Sequence, residues 1–172
     1  VNGLRLVAAG PTRSLRRALF GGDDPLDEAG RNTARTMQIA GPWVCAPSRA
    51  AQQTVLELGG TNALLEPALS DPDYGTWTGR TLSDVDATTW LTDPDAAPHG
   101  GESLSAVRAR AGAWLDHHTD TTLTAVAHTT IVRALLAYAL RTPPDGIWSL
   151  EVAPLSVSHL TYRAGRWHLS IT

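Results

Sequence analysis

Short apolar runs alternate along this chain with stretches whose apolar residues recur at helical spacing. The first run, with Leu4, Leu6 and Val7, reads as a buried strand that turns out at Gly10-Pro11. Pro25-Leu-Asp-Glu-Ala predicts a helix with proline in its first turn and acids at its positive end, its inward edge formed by Leu26, Ala29, Thr33 and Met37 and its stop by Gly41-Pro42. Residues 43–46 form a second strand, and Ser48 caps a helix over 49–58 that turns Ala51, Val55 and Leu58 inward. A weaker third strand covers 62–69, with Pro67 marking an edge or an ending.

Residues 71–79 form a loop in which Gly75 and Gly79 set tight turns around Tyr74 and Trp77, followed by a short helix over 81–87 and a second loop over 94–101. Ser103 caps a longer helix whose Leu104, Val107, Ala111, Trp114 and Leu115 share one face up to His117-His118. Residues 123–127 are the next buried strand, 131–140 a helix stopped by Pro143-Pro144, and 156–162 with 166–171 a hairpin turned at Ala164-Gly165. Strand and helix alternate with neither repeat nor linker. The fold class expected is therefore α/β, one domain over 1–172, a three-layer α/β/α sandwich with a mainly parallel sheet and a C-terminal β-hairpin. Ala9, Arg49 and His128 each follow a strand end, so parallel neighbouring strands would bring them to one crevice, where open α/β sheets bind ligands.

Composition narrows the partners. The 172 residues carry a net charge of -3, and no basic run exceeds Arg16-Arg17, so neither nucleic acid nor an anionic membrane surface is an expected partner. The longest apolar run, between Arg133 and Arg141, is too short to span a bilayer, and a cytoplasmic location is the default expectation. The lone Cys45 offers neither an internal disulfide nor a thiolate cluster and reads as a buried, inert thiol. His117-His118 point apart on a helix with no third ligand nearby, His159 and His168 fall in the hairpin, and no metal or other cofactor is expected. The tryptophans read as core and rim packing, and His99 as a solvent-facing loop residue. The cluster from Arg13 to Arg17, next to Gly21-Gly22-Asp23-Asp24, is either a solvated loop or a rim of cations beside an anionic ligand.

Five strings occur in a telling order: Pro25-Leu-Asp-Glu-Ala-Gly30, Ala46-Pro-Ser-Arg49 with Gln53-Thr54, Asp71 through Tyr74-Gly75, Trp77 and Gly79, Gly100-Gly-Glu-Ser103, and Ala125-Val-Ala-His128. Together they resemble the histidine phosphatase superfamily, whose fold is phosphoglycerate-mutase-like, along nearly the whole chain. In that family an Arg-His-Gly triplet follows the first strand. Its histidine attacks phosphorus, two arginines and a second histidine hold the phosphoryl oxygens, and an acid protonates the leaving group. The resemblance matches Arg49 to the second arginine, His128 to the second histidine and Asp71 to the acid.

The triplet itself is Ala8-Ala9-Gly10 here, so only its glycine remains. A methyl group cannot attack phosphorus. A laboratory variant would ordinarily replace the histidine alone, so the change at both positions points to a natural departure. Thr129 stands where a glycine normally follows the second histidine, and Pro11 follows Gly10, which remodels the pocket further. The resemblance thus implies a member without phosphohistidine chemistry that keeps a pocket for an anionic or polar small molecule, its anion contacts drawn from Arg49, His128, Gly10, Thr12 and Arg13. An alternative keeps catalysis with Asp71 and His128 as an acid/base pair for proton transfer, cyclisation, dehydration or an acyl step. A surviving phosphatase would need His99 or His128 as the attacking group. Family members often dimerise, which makes a homodimer the oligomeric expectation.

Overall fold

Two five-residue runs, each apolar but for one residue, lie side by side in the middle of the sheet. β1 (Leu4–Ala8) and β4 (Leu123–Ala127) pair in parallel, with Leu6 opposite Ala125 and Ala8 opposite Ala127. Strands apolar on both faces need cover on both sides, which parallel sheets obtain from crossover helices. The computed structural model describes residues 2–172. Within them β2 (Trp43–Cys45), β3 (Leu64–Leu65), β5 (Val157–Arg163) and β6 (Arg166–Ser170) complete a sheet of order β3-β2-β4-β1-β5-β6. β1 to β4 are mutually parallel, while β5 runs antiparallel to β1 and pairs with β6 as the expected hairpin.

The helices are α1 (Arg13–Arg16), α2 (Glu28–Arg35), α3 (Arg49–Glu57), α4 (Thr88–Thr92), α5 (Leu104–Asp116) and α6 (Thr129–Ala139). The connections through α2 and α3 carry the chain toward β3, and those through α5 and α6 carry it back toward β1 and β5. Right-handed crossovers moving in opposite directions put their helices on opposite faces. Accordingly α2 packs with α3 and α5 with α6, giving the three layers.

Local chemistry fixes the helix starts and moves some of the expected boundaries. Ser48 and Ser103 accept from the N–H groups of Ala51 and Ala106, as their sequence context predicts. α2, however, begins at Glu28 because the Asp27 carboxylate caps the Gly30 N–H at 2.6 Å, leaving Pro25 outside the helix. Its inward face is shifted by one position: Gly30 and Ala34 are buried while Ala29 and Thr33 are exposed, and Leu26 is buried ahead of the helix beside Thr12. The third strand shrinks to Leu64–Leu65, because Glu66 caps a 3-10 turn that starts at Pro67. The helix expected over 81–87 is only a 3-10 turn (Leu82–Asp84), followed by the unpredicted α4. Three of the five residues of α4 are threonines with poor helix propensity, and it holds its shape through the buried Trp90.

Candidate functional site

β4, β1 and β2 are neighbours, so their carboxyl ends lie side by side, and Ala9 and His128 meet there while Arg49 stays outside the cavity. His128 follows β4 directly and is the N-cap residue of α6. Ala9 is held level with it by its N–H, which donates to the Ala127 carbonyl at 2.8 Å, and Ala46 is tied to Val126 in the same way at 2.9 Å. Above these ends opens a cavity of about 460 Å³, within the range of small-molecule sites. Its buried lining includes Ala9, Thr12 and Tyr74, with Asp71, His128 and Thr130 beside them. Its mouth is apolar: Leu15, Leu82, Leu91 and Trp148 line it while 41%, 50%, 42% and 38% exposed.

The wall that carries Asp71 is two loops fastened together. The Thr76 N–H donates to the His99 carbonyl, the Glu102 N–H to the Asp73 carbonyl, and the Asp73 N–H to the Glu102 carboxylate, all within 2.8 to 3.0 Å. This approach requires glycine on both sides, since a Cβ at Gly75 would land on the His99 carbonyl oxygen and one at Gly101 on that of Asp73. Arg110, from α5, spans the join with Nε and Nη2 on the two Glu102 oxygens at 2.9 and 3.0 Å, Nη1 on the Ala68 carbonyl at 2.8 Å and Nη2 on that of Asp71 at 3.3 Å. Burial raises the Glu102 carboxyl, but the Arg110 and Asp73 hydrogen bonds outweigh it and hold the group below its ordinary value.

Asp71 itself is tuned the other way. Burial pushes its carboxyl above the usual range, and the neighbouring His128 and Arg110 reverse this only in part. Burial and the Asp71 charge likewise raise the Tyr74 phenol, which the Thr130 side chain partly offsets. Three polar atoms of the lining residues are withdrawn from solvent and have no protein partner: Asp71 Oδ1, His128 Nε2 and Arg133 Nε. Buried polar atoms are almost always hydrogen-bonded, so a cluster of orphans around a cavity marks where a ligand's polar atoms fit.

The structure divides the expected anion-binding set. His128 and Thr12 line the cavity, although the Thr12 hydroxyl also caps α1 through the Leu15 N–H at 3.1 Å. Gly10 is engaged elsewhere: its N–H donates to Thr54 Oγ1 at 3.0 Å, so this donor is not free for an anion. Arg49 and Arg13 are exposed and do not line the cavity. The Arg49 N–H donates to Asp23 at 2.7 Å, and Asp24 accepts from the Ser14 hydroxyl and N–H, which hold its carboxyl low with added help from Arg13 and Arg49. Ala8 is fully buried in the sheet.

Arg133 is the lining residue that the sequence reading overlooked. Its signal was the helical spacing Thr129, Thr130, Arg133, which puts all three on the face turned to His128. His99 is a correction: it is 2% exposed rather than solvent-facing, packed against Trp77 and Tyr74 at ring separations of 5.0 and 6.1 Å, with Nδ1 accepting from the Gly101 N–H. Burial holds its imidazole below the ordinary value. It fills the wall behind the cavity and is not among the lining residues. Cys45 is buried as expected, and burial pushes its thiol up. Among the described residues no three His, Cys, Asp or Glu side chains are placed to hold a metal ion, and no helix is long and apolar enough to cross a membrane.

The family model described as the histidine phosphatase superfamily (branch 1) matches residues 10–171, a span that begins just after Ala8-Ala9. Similar solved structures include a histidine-to-alanine mutant of phosphoserine phosphatase from Entamoeba histolytica in complex with phosphoserine, with 18% identity, a TM-score of 0.86 and coverage of 99% of this chain and 96% of that one. Mycobacterial glucosyl-3-phosphoglycerate phosphatase complexed with VO3 superposes with a TM-score of 0.83 at 25% identity, covering 99% and 98%. The α-ribazole phosphatase of Shigella flexneri gives 0.84 at 20% identity, covering 98% and 95%. Comparison with curated protein sequences returns no match.

Proposed function

The chain belongs to the histidine phosphatase superfamily, branch 1, and on that premise we propose that it is a member without phosphohistidine chemistry whose cavity binds a small polar or anionic molecule. One observation carries this reading: the group that the first strand presents beside His128 and Asp71 is the methyl of Ala9. A methyl has no lone pair with which to attack phosphorus, and the neighbouring Ala8 supplies no guanidinium to hold the equatorial oxygens. Binding without turnover is physically compatible with the fold, since the Entamoeba phosphoserine phosphatase mutant, with alanine in place of a histidine, is in complex with phosphoserine. In this reading His128, Thr12 and Arg133 meet the polar end of the ligand. Arg13 and Arg49 remain at the rim with the acidic turn.

The test is hydrolysis of p-nitrophenyl phosphate and phosphoserine by purified protein, without added metal. No turnover above buffer is expected. Turnover well above buffer that His128→Ala abolishes would refute the reading.

A second reading has its own support, because Asp71 and His128 face one cavity and interact electrostatically, with the Asp71 carboxyl held toward its protonated form. A neutral acid beside an imidazole is the pairing general acid/base catalysis uses. The reaction would be proton transfer, cyclisation, dehydration or an acyl step on a non-phosphorylated substrate. Proton exchange at an acidic C–H of a bound ligand, followed by NMR and lost in both Asp71→Asn and His128→Gln, distinguishes this reading from binding alone.

A further inference from the structure

The cavity has two unlike halves, and their chemistry specifies the ligand more closely than the family does. Its inner end carries one guanidinium, that of Arg133, which makes no ion pair among the described residues and keeps Nε buried and unpartnered. His128 Nε2 and the Thr130 side chain lie on the same helical turn. The two other nearby cations, Arg13 and Arg49, are exposed, do not line the cavity and lie near the acidic turn that carries Asp24. A dianionic phosphoryl group would therefore find one guanidinium among the lining residues. A singly charged planar head matches what is present, because one guanidinium fork satisfies one carboxylate.

The outer half is hydrocarbon and aromatic. Phe20, Trp90 and Trp148 form one wall, with Trp90 and Trp148 edge to face at 5.0 Å and Phe20 and Trp90 at 5.8 Å. Leu15, Leu82 and Leu91 complete the mouth with side chains left partly in water. An apolar mouth above a polar floor is filled by a ligand with the same two-part character, which removes this exposed hydrocarbon from water.

Resting on the non-phosphatase reading above, we propose that the cavity takes an aryl or alkyl carboxylate, its single anionic head at Arg133 and His128 and its apolar body against Phe20, Trp90 and Trp148. Burial holds the Asp71 carboxyl above its usual range, which lessens its repulsion of such a head.

Three probes separate the alternatives: 2-naphthoate, 2-naphthyl phosphate and inorganic phosphate, each titrated into the protein at pH 7 by calorimetry and by quenching of tryptophan fluorescence. The expected result is that naphthoate binds at least about tenfold more tightly than inorganic phosphate and at least as tightly as naphthyl phosphate. Arg133→Gln should weaken naphthoate binding by roughly tenfold or more, the scale of one charge-assisted hydrogen bond. Trp148→Ala, at the partly exposed rim, should weaken it by roughly fivefold through lost apolar contact. Tighter binding of naphthyl phosphate without release of naphthol, lost in Arg49→Gln, would overturn the carboxylate assignment and leave the non-phosphatase reading standing. Release of 2-naphthol would overturn that reading and the assignment with it. Failure of all three probes to bind would overturn the assignment alone.

Discussion

Arg110 holds together the wall that presents Asp71, so its removal should cost more than a surface ion pair does. The guanidinium donates to both oxygens of Glu102 and to the carbonyls of Ala68 and Asp71, and the two charged side chains are only 23% and 28% exposed. Fully desolvated hydrogen bonds to charged groups contribute about 1.5 to 3 kcal/mol each. Partial exposure screens the ionic pair well below that sum. Truncation also strands the Glu102 carboxylate against the loop. The expected cost of Arg110→Ala is about 3 to 4 kcal/mol, toward the low end for a broken buried pair. At about 2 to 4 °C per kcal/mol for a chain of this size, the melting temperature should fall by roughly 6 to 16 °C.

The assay is thermal unfolding at pH 7 followed by circular dichroism, with Arg110→Lys as the companion. An ammonium keeps the charge but lacks the planar fork, so lysine should recover less than half of the loss. A fall below about 2 °C, within the range of an ordinary surface substitution, would show that the fastening lies in the glycine-permitted backbone approach alone. Full recovery by lysine would show that charge, not geometry, matters.

Three further outcomes follow from the site. Thr54→Val leaves the buried Gly10 N–H without its acceptor and should cost about 1 to 3 kcal/mol in urea unfolding, whereas Thr54→Ser, which keeps the hydroxyl, should recover most of it. Because burial holds the Asp71 carboxyl above its unfolded value, its ionisation opposes folding: full stability is present below about pH 4 and is lost as pH rises through the raised value. Asp71→Asn should therefore be more stable than the parent at pH 8 with the gap closing near pH 4, and a gap independent of pH would contradict the assignment. Phe20 meets the rings of Tyr74, Trp77 and Trp90 at 5.2, 5.3 and 5.8 Å, so Phe20→Ala should lower stability by about 2 to 3 kcal/mol, less than a fully enclosed phenylalanine would, and flatten the near-ultraviolet dichroism; an unchanged spectrum would count against a packed cluster.

The parallel core was legible because β1 and β4 are apolar apart from Arg5 and Thr124 and because Ser48 and Ser103 announce their helices chemically. Convergence of Ala9 and His128 followed from that topology. What escaped the sequence was set by tertiary contact. The threonines of α4 argue against a helix, and only burial of Trp90 decides otherwise. His99 reads as an exposed loop residue until the 71–79 loop closes over it. Arg133 lies on a helix whose apolar residues point to the sheet, and its spacing from Thr129 and Thr130 is the one local sign of a polar face, which only the tertiary fold sets against a cavity. In the sequence the segment holding Asp23-Asp24 reads either as a solvated loop or as part of a rim beside an anionic ligand, whereas its carboxylates meet the α3 N–H of Arg49 and the Ser14 side chain, contacts that local sequence does not announce.

The position of β4 between β1 and β2 has a consequence for how the protein opens. Amide protons on that strand are buried between paired neighbours on both sides, so exchanging them with solvent deuterium requires the whole sheet to come apart. The mouth around Leu82 and Leu91 hangs on single turns and can fray alone at small cost. A gradient of hydrogen-exchange protection should therefore run from the sheet to the cavity mouth, slowest in β4 beneath His128 and fastest at the rim, so that the floor of the cavity stays preformed while its threshold breathes.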